Sequence, residues 1–292
     1  MSAGAAPPRR LGATGPEVSA VGLGCMGMSE FYGEGDREQS IRTIRRALEL
    51  GVTLFDTADM YGQGENERLL AEALGADRDR VVVATKFGMV RDEAGSFTGV
   101  DGSPEYARRA CEASLSRLGT ETIDLLQLHR VDPRTPIEET VGAMRELVEA
   151  GKVRLLGLSE VSAEELRRAA ATAPIASVQS EYSLLERAIE AEVLPECERL
   201  GAACLAFAPL MRGLIARRFS SAEELDPSDT RRRGRYPRLA GEALDANLEL
   251  AHLIWEIADG RGVPPSQVAL AWLLQRSPAV IPIPGAKTVE HL

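Results

Sequence analysis

Residues 52–86 read VTLFDTADMYGQGENERLLAEALGADRDRVVVATK, and this stretch contains the alternation that decides the fold. The apolar run at 52–56 and the β-branched run at 81–86 each predict a buried strand. Between them, residues 66–74 predict an amphipathic helix. Two apolar strands joined by a helix are typical of a parallel sheet that is covered on both faces.

The same order of strand and helix continues on both sides of this stretch, eight times in all. Apolar strands, short loops and an even rhythm favour a closed (β/α)8 TIM barrel over an open doubly wound sheet. We therefore expect a single barrel domain over residues 1–292. The other predicted strands are 18–23, 123–129, 153–159, 177–181, 203–208 and 280–283, and the other predicted helices are 37–50, 104–118, 137–150, 163–171, 187–200, 246–258 and 265–275.

One segment departs from this rhythm. Residues 211–245, after the seventh predicted strand, are rich in Arg, Asp, Ser, Gly and Pro and include RRRGR at 231–235. A loop of this length is typically either functional or disordered. Two interpretations of its basic cluster stay open, a lid that faces a ligand and a plain solvated surface.

Composition excludes several classes of function. The chain has 34 Lys and Arg against 44 Asp and Glu, a net charge of −10, which argues against nucleic acid or an anionic membrane as partner. Its apolar runs are far shorter than the ~20 residues of a membrane helix, and the first residues lack the apolar core of a signal peptide. The four cysteines lack zinc-site spacing. We expect a cytoplasmic protein without a metal.

A glycine pattern near the N-terminus is a weaker signal. Gly22, Gly24 and Gly27 fit G-x-G-x-x-G, which indicates dinucleotide binding when a helix follows and an acid lies ~20 residues on. Here residues 28–35 contain two more glycines and no helical period, and Asp56 lies too far along the chain. We expect these glycines to let the backbone approach a neighbour at the end of the first strand.

Four polar residues occupy or follow the ends of successive predicted strands. Asp56 ends the second strand, Tyr61 follows five residues later, Lys86 ends the third and His129 ends the fourth. Each alone could be structural, as a cap, a packed ring or a satisfied core histidine. Because neighbouring strands lie ~4.8 Å apart and barrel active sites lie at the carboxyl ends of the strands, the four together predict a site.

These four residue types suit proton transfer to a carbonyl group. A tyrosine has a reference pKa near ~10, and a neighbouring ammonium lowers it by favouring the phenolate. A carboxylate keeps the lysine charged, and a histidine can donate to the carbonyl oxygen. Side chains do not donate hydride, so the chemistry needs a nicotinamide cofactor.

Longer motifs around these residues resemble the aldo-keto reductase superfamily. They are FDTADMYGQGENERLLAEAL at 55–74, VVVATKFG at 81–88 and IDLLQLHRVDP at 123–133, followed in order by GLSEVSAEEL at 157–166, VQSEYSLL at 178–185, AFAPLMRGL at 206–214 and IPIPGAK at 281–287. The resemblance covers nearly the whole chain. It implies a (β/α)8 barrel that binds NADPH or NADP+ without a Rossmann fold and reduces aldehydes and ketones to alcohols.

The resemblance also implies roles for single residues. Tyr61 would be the general acid and base, Lys86 would depress its pKa, Asp56 would pair with Lys86, and His129 would orient the carbonyl. The residues implied in cofactor binding are Ser159 and Gln179 at the nicotinamide carboxamide, Phe207 stacked on the nicotinamide ring, Leu210 near the pyrophosphate and Lys287 at the adenosine 2′-phosphate.

Three features depart from the family pattern. Glu160 stands where many members have Asn, and a carboxylate cannot donate to the carboxamide oxygen. Phe207 replaces the commoner Tyr, which keeps the stacking face and loses a hydroxyl. The chain stops at Leu292, where members continue with an adenine-binding stretch, so we expect helix eight and the C-terminal segment to be truncated.

The partner implied is a small carbonyl compound. The expected pocket wall is largely apolar with one cation, and it consists of Met26, Tyr32, Met60, Phe87, Arg130 and the loop at 211–245. Two other functions stay open. One is a nicotinamide-binding regulatory subunit that senses redox state with little turnover, and the other is an isomerase or aldolase that uses Lys86 as a Schiff base.

Overall fold

The computed structural model describes residues 6–232 and 234–292. Within them, the strands are β1 (Arg9–Arg10), β2 (Glu17–Val18), β3 (Leu23–Gly24), β4 (Leu54–Asp56), β5 (Val82–Phe87), β6 (Met89–Arg91), β7 (Phe97–Val100), β8 (Ile123–Leu128), β9 (Val153–Ser159), β10 (Ser177–Glu181), β11 (Ala203–Phe207) and β12 (Val280–Pro282). The helices are α1 (Arg37–Glu49), α2 (Glu65–Leu74), α3 (Pro104–Leu118), α4 (Ile137–Glu149), α5 (Ala163–Thr172), α6 (Val193–Leu200), α7 (Gly241–Arg261) and α8 (Pro265–Arg276).

Parallel strands form one curved sheet in the order β3, β4, β5, β8, β9, β10, β11, β12. The sheet closes where Gly24 bridges Gly285 in parallel, and the Gly24 amide donates to the Pro284 carbonyl oxygen at 2.9 Å. Helices separate successive strands along the chain. This confirms the (β/α)8 barrel.

Two glycines of the pattern at residues 22–27 belong to this seam. A Cβ atom at Gly24 would lie 2.9 Å from the Ile283 carbonyl oxygen, and one at Gly22 would lie 3.0 Å from Ile283 Cγ2. The absence of a Cβ atom at Gly24 therefore lets the first and last strands meet. Gly27 has a different role, because a Cβ atom there would lie 2.9 Å from the Tyr32 ring.

Two apolar layers lie on the two faces of the sheet. Inside the barrel, Leu54 and Val82 pack with Leu11 and Val18 of the β1–β2 hairpin. That hairpin fills the amino-terminal end of the barrel. Outside, alternate strand residues pack against the helices, as Phe87 does. The carboxyl ends of the strands are left for a site.

The helices begin and end at residues that satisfy their terminal backbone groups. Asp36 caps α1 by accepting from the Gln39 amide at 2.9 Å, and Ser162 forms a capping box with Glu165 at the start of α5. Helix α3 ends at Gly119, whose φ of 63° is left-handed. These are the local signals expected for βα units with short connections.

The structure corrects several predicted bounds. The first predicted strand, 18–23, is divided between β2 and β3, because the Ser19 amide donates to the Thr53 hydroxyl at 2.8 Å in place of a ladder partner. The β6–β7 hairpin was not predicted. The segment predicted as an irregular loop at 211–245 holds three short 3-10 helices, and α7 already begins at Gly241. The helix eight of the sequence analysis would follow the last barrel strand and is not α8, which precedes β12. After β12 the described chain forms a 3-10 turn at Val289–His291.

Among the described residues, no helix is both long enough and apolar enough to cross a bilayer.

Candidate active site

Four polar side chains meet at the carboxyl ends of β4, β5 and β8. Lys86 Nζ lies 2.6 Å from Asp56 Oδ1 and 3.4 Å from Tyr61 Oη. The Tyr61 and His129 rings stand edge to face with their centroids 5.8 Å apart. All four residues are at most 6% exposed. We call them the proton-transfer cluster.

The sheet register explains why these side chains converge. Asp56 pairs with Ala84 and Lys86 pairs with Gln127 in parallel ladders. Because side chains alternate across a strand, Lys86 points into the barrel while its neighbours Thr85 and Phe87 point to the helices. Lys86 Nζ also donates to the Thr57 carbonyl oxygen at 2.7 Å, so the ammonium is held from two sides.

The turn that carries Tyr61 is fixed by buried polar contacts of α2. Asn66 Nδ2 donates to the Cys25 carbonyl oxygen at 2.9 Å, and Asn66 Oδ1 accepts from the Thr57 hydroxyl at 2.7 Å. Glu67 accepts from the Thr85 hydroxyl at 2.6 Å and pairs with Arg117. The motif around residues 61–67 thus holds the tyrosine in place through helix α2.

Lys86 lowers the pKa of the Tyr61 phenol, as expected, but burial has the larger and opposite effect, so the pKa is raised. Burial acts to lower the pKa of Lys86, but Asp56 and Tyr61 outweigh it and the pKa is raised. The pair therefore holds a charged ammonium beside a protonated phenol at neutral pH.

His129 is neutral in this environment. Burial lowers its pKa well below the ordinary value, and the charges of Lys86 and Arg130 lower it further. Its Nδ1 atom is buried and has no hydrogen-bond partner among the described residues. An unprotonated Nδ1 suits that position better than an N–H group without an acceptor, which leaves Nε2 as the protonated nitrogen.

Two glutamines extend the cluster across the barrel. Gln179 Nε2 donates to Asp56 Oδ2 at 2.7 Å, and Gln127 Nε2 lies 3.4 Å from the same oxygen. Gln127 was not among the predicted site residues. Its signal in the sequence was a polar residue inside the apolar strand IDLLQL, at a position that faces the barrel interior.

The residues expected at the nicotinamide lie on adjacent strands. Ser159 and Gln179 are direct neighbours in the β9–β10 ladder, and Phe207 ends β11 beside Glu181. The Ser159 hydroxyl oxygen accepts from Arg130 Nη1 at 3.2 Å. With Gln179 Nε2 directed at Asp56, the pair presents a hydroxyl donor and a carbonyl acceptor. This combination is complementary to a primary carboxamide.

Glu160 is held by its own neighbours. Its φ of 55° is left-handed, and its Oε1 atom accepts from the Glu181 amide at 2.9 Å. The exposed carboxylate of Glu160 thus links the ends of β9 and β10 by a hydrogen bond.

Lys287 and Leu210 lie apart from the proton-transfer cluster. Lys287 Nζ donates to the carbonyl oxygens of Tyr32 at 2.9 Å and Glu34 at 2.7 Å, and burial lowers its pKa. Leu210 packs in an apolar cluster with α7. The lysine therefore links the segment after β12 to the loop after β3.

The predicted pocket residues do not all lie together. Met26 and Met60 pack around Tyr61, and Arg130 is half-buried beside His129. Tyr32 lies under the Arg231 guanidinium, 4.6 Å from it. Phe87 was wrongly predicted as pocket wall. It is fully buried against the helices because the period of two in β5 turns it away from the barrel.

Phe31 is a pocket residue that the sequence interpretation missed. Its ring stands edge to face with the Tyr61 ring at 6.4 Å, and its φ of 74° is left-handed. The guanidinium groups of Arg91 and Arg235 lie 5.7 and 5.1 Å from its centroid. A left-handed aromatic residue is difficult to foresee because side chains rarely adopt that conformation.

Residues 211–232 and 234–240 reach this same rim. They follow β11, which is the seventh strand of the barrel sheet, and we call them the strand-seven loop. The amide and the hydroxyl of Thr230 both donate to the Phe31 carbonyl oxygen at 2.9 Å. Arg212 forms a two-point ion pair with Glu181 at 2.5 and 2.8 Å. Part of the predicted basic loop therefore faces the site.

Comparison with known proteins identifies the family of this chain. The Aldo/keto reductase family model matches residues 20–292. This chain belongs to that family. Over 287 residues it is 42% identical to "Probable aldo-keto reductase 1" of Glycine max, covering 98% of this chain and 82% of that protein. Aldo/keto reductases are oxidoreductases, and this chain is a member across nearly its whole length.

Solved aldo/keto reductases share its fold. The glycerol dehydrogenase AKR11B4 from Gluconobacter oxydans has a TM-score of 0.87 and 32% identity, with 97% of this chain and 87% of that one covered. A Klebsiella pneumoniae aldo/keto reductase in complex with NADP and acetate has a TM-score of 0.73 and 31% identity, with 97% and 86% covered.

Proposed function

We propose that this protein is an NADPH-dependent reductase that converts aldehydes and ketones to alcohols, with Tyr61 as the proton donor. The observation that carries the proposal is the buried contact of 3.4 Å between Lys86 Nζ and Tyr61 Oη, with the ring of His129 edge to face against the Tyr61 ring at 5.8 Å. If the Lys86–Asp56 ion pair were only structural, it would not require a phenol and an imidazole beside it.

The described residues fit a nicotinamide cofactor. Ser159 and Gln179 offer the donor and acceptor that a carboxamide needs, and half-exposed Phe207 offers an aromatic face at the neighbouring strand end. A solved relative is described as a complex with NADP. We assign Lys287 to the 2′-phosphate, since it is a cation beside the start of the last turn.

The bound cofactor supplies the hydride, which no side chain can donate. Tyr61 donates its proton to the carbonyl oxygen, and the electron pair left on the phenolate is stabilised by the Lys86 ammonium. Asp56 keeps Lys86 charged and in position. Neutral His129 donates a hydrogen bond from Nε2 to the same carbonyl oxygen and so orients it.

Replacing Tyr61 by Phe tests the proposal. The ring is kept and the proton is lost, so we expect turnover to fall about 100- to 10,000-fold while NADPH binding persists. NADPH absorbance with benzaldehyde measures turnover, and NADPH fluorescence measures binding. Tyr106→Phe is the matched control, since its hydroxyl lies outside the proton-transfer cluster. Turnover of Tyr61→Phe within a few-fold of the original protein contradicts the assignment.

The pH profile provides an independent check. Reduction needs the protonated phenol, and burial raises the pKa of Tyr61. The Tyr61 phenol is therefore protonated, and able to donate, below that raised pKa. It loses its proton only as the pH rises through that pKa. We expect kcat for reduction to be flat through neutrality and to fall only above the ordinary tyrosine value of about 10. A fall between pH 6 and 8 contradicts this role.

A further inference from the structure

We propose that Arg130 binds a carboxylate of the substrate, so that the preferred substrates are aldehydes and ketones with a carboxylate close to the carbonyl group. This inference rests on the proposed reductase function. It names the substrate class that the same site selects.

Arg130 is half-buried and, unlike the half-buried arginines Arg91, Arg212 and Arg231, has no carboxylate partner among residues 6–232 and 234–292. Its hydrogen bonds within the described chain go to two neutral oxygens, the His129 carbonyl at 2.6 Å and the Ser159 hydroxyl at 3.2 Å. A half-buried guanidinium without a counter-charge is costly unless a ligand supplies one. The paired arginines nearby are Arg91 with Glu30, Arg212 with Glu181 and Arg231 with Asp229.

The free part of Arg130 has the shape of a carboxylate receptor. Both neutral contacts use Nη1, which fixes the plane of the guanidinium. The edge formed by Nε and Nη2 has no partner within the described chain. That edge carries two parallel N–H groups, whose spacing matches the two oxygens of one carboxylate.

Arg130 is also close enough to the reacting groups to select substrates. Its charge lowers the pKa of His129 and acts in the same direction on Tyr61. The side chains that pack around Tyr61, among them Phe31, Met26 and Met60, are apolar. A substrate with its carbonyl at Tyr61 and its carboxylate at Arg130 therefore has a short apolar spacer between them.

A matched pair of substrates tests this subsite. The probes are 3- and 4-carboxybenzaldehyde and their methyl esters, which keep the aldehyde and lose the charge. In Arg130→Gln we expect kcat/KM for the better acid to fall about 10- to 100-fold through KM, as when a charged hydrogen bond is lost. We expect kcat/KM for its ester to fall less than that for the acid, so that the ratio of the two values drops about 10-fold.

Further variants separate charge from shape. Arg130→Lys keeps the charge and loses the paired donors, so we expect an intermediate loss. Arg154→Gln, on an exposed arginine outside the barrel that pairs with Asp124, is the control and should leave both substrates unaffected. The affinity for NADPH, measured by fluorescence, should be the same in Arg154→Gln as in the original protein.

Three results overturn the carboxylate subsite. They are equal losses for acid and ester in Arg130→Gln, no loss for either, or a weakened affinity for NADPH that accounts for the change. Calorimetric titration with benzoate keeps the test independent of turnover. If the original protein reduces neither aldehyde, the proposed function fails. In that case, loss of benzoate binding in Arg130→Gln still supports the subsite. An affinity of Arg130→Gln for benzoate equal to that of the original protein overturns it.

Discussion

The proton-transfer cluster and the strand-seven loop face each other across the rim, and they are built differently. The cluster stands on or beside adjacent strands, is buried, and satisfies its charges internally, as Lys86 does with Asp56. The loop is held by guanidinium groups over aromatic rings, as with Arg212 over Tyr236 at 4.4 Å and Arg231 over Tyr32 at 4.6 Å. The first arrangement fixes geometry, and the second can be rearranged at small cost.

This difference suggests that the cluster and the loop have separate roles. Proton transfer depends on distances that must be held within a fraction of an ångström, which strands provide. Admission and release of a large ligand need a segment that can move, which suits a loop whose regular elements are short 3-10 helices. Mutations should therefore affect chemistry in the cluster and ligand exchange in the loop.

The largest effect is expected from Lys86→Met. Removing the ammonium leaves the phenolate unsupported, so turnover should fall about 100- to 10,000-fold. It also leaves Asp56 buried without its partner, so the free energy of unfolding should fall by about 3–5 kcal/mol. NADPH oxidation and urea unfolding measure the two effects.

The double variant Asp56→Asn, Lys86→Met separates these effects. It removes the isolated buried charge, so stability should partly recover while turnover stays lost. Recovery of turnover in the double variant contradicts a chemical role for Lys86.

An intermediate effect is expected from Arg212→Gln in the strand-seven loop. The variant loses the two-point pair with Glu181 and the contacts with the Phe207 and Tyr236 rings. We expect the dissociation constant of NADPH to rise about 10-fold, with the single-turnover rate of reduction nearly unchanged. Stopped-flow fluorescence measures both.

Arg217→Gln, on an exposed arginine paired with Asp259, is the control for Arg212. A single-turnover rate that falls in parallel with the affinity removes the distinction between the loop and the cluster.

The smallest effect concerns Asp59, in the turn before Tyr61. Burial, with the nearby Glu67 charge, raises its pKa to about 7. A carboxyl whose folded pKa is raised binds more protons folded than unfolded, so its contribution to stability is lost progressively as the pH rises from the unfolded pKa of about 4 to the folded value of about 7. Asn does not titrate, so we expect the stability of Asp59→Asn relative to the original protein to rise by about 1–2 kcal/mol between pH 6 and pH 8.

Urea unfolding at pH 6 and pH 8 measures the Asp59 effect, with exposed Asp245→Asn as the control. An unchanged pH dependence in Asp59→Asn shows that the carboxyl does not titrate near neutrality.

The sequence predicts the barrel and the cluster because both depend on local patterns. Apolar strands alternate with helices, and Asp56, Lys86 and His129 lie at or just after strand ends, where the topology brings them together. Phe87 was misplaced because a motif alone does not indicate the face of the strand, whereas the alternation from Lys86 does. Gln127 was missed although a polar residue in the apolar strand IDLLQL marks it. Phe31 acts through contacts between distant segments, and no local pattern in the sequence encodes such contacts.

The junction between β3 and β12 has a consequence for how the protein is made. Gly24 meets Gly285, and Lys287 holds the backbone at Tyr32 and Glu34, so the ring is joined by contacts across most of the polypeptide. During synthesis, the segments that carry Asp56 to His129 leave the ribosome long before β12 can complete the ring. We therefore expect slow folding with high contact order, in which the nascent chain needs protection from aggregation until its final strand has docked.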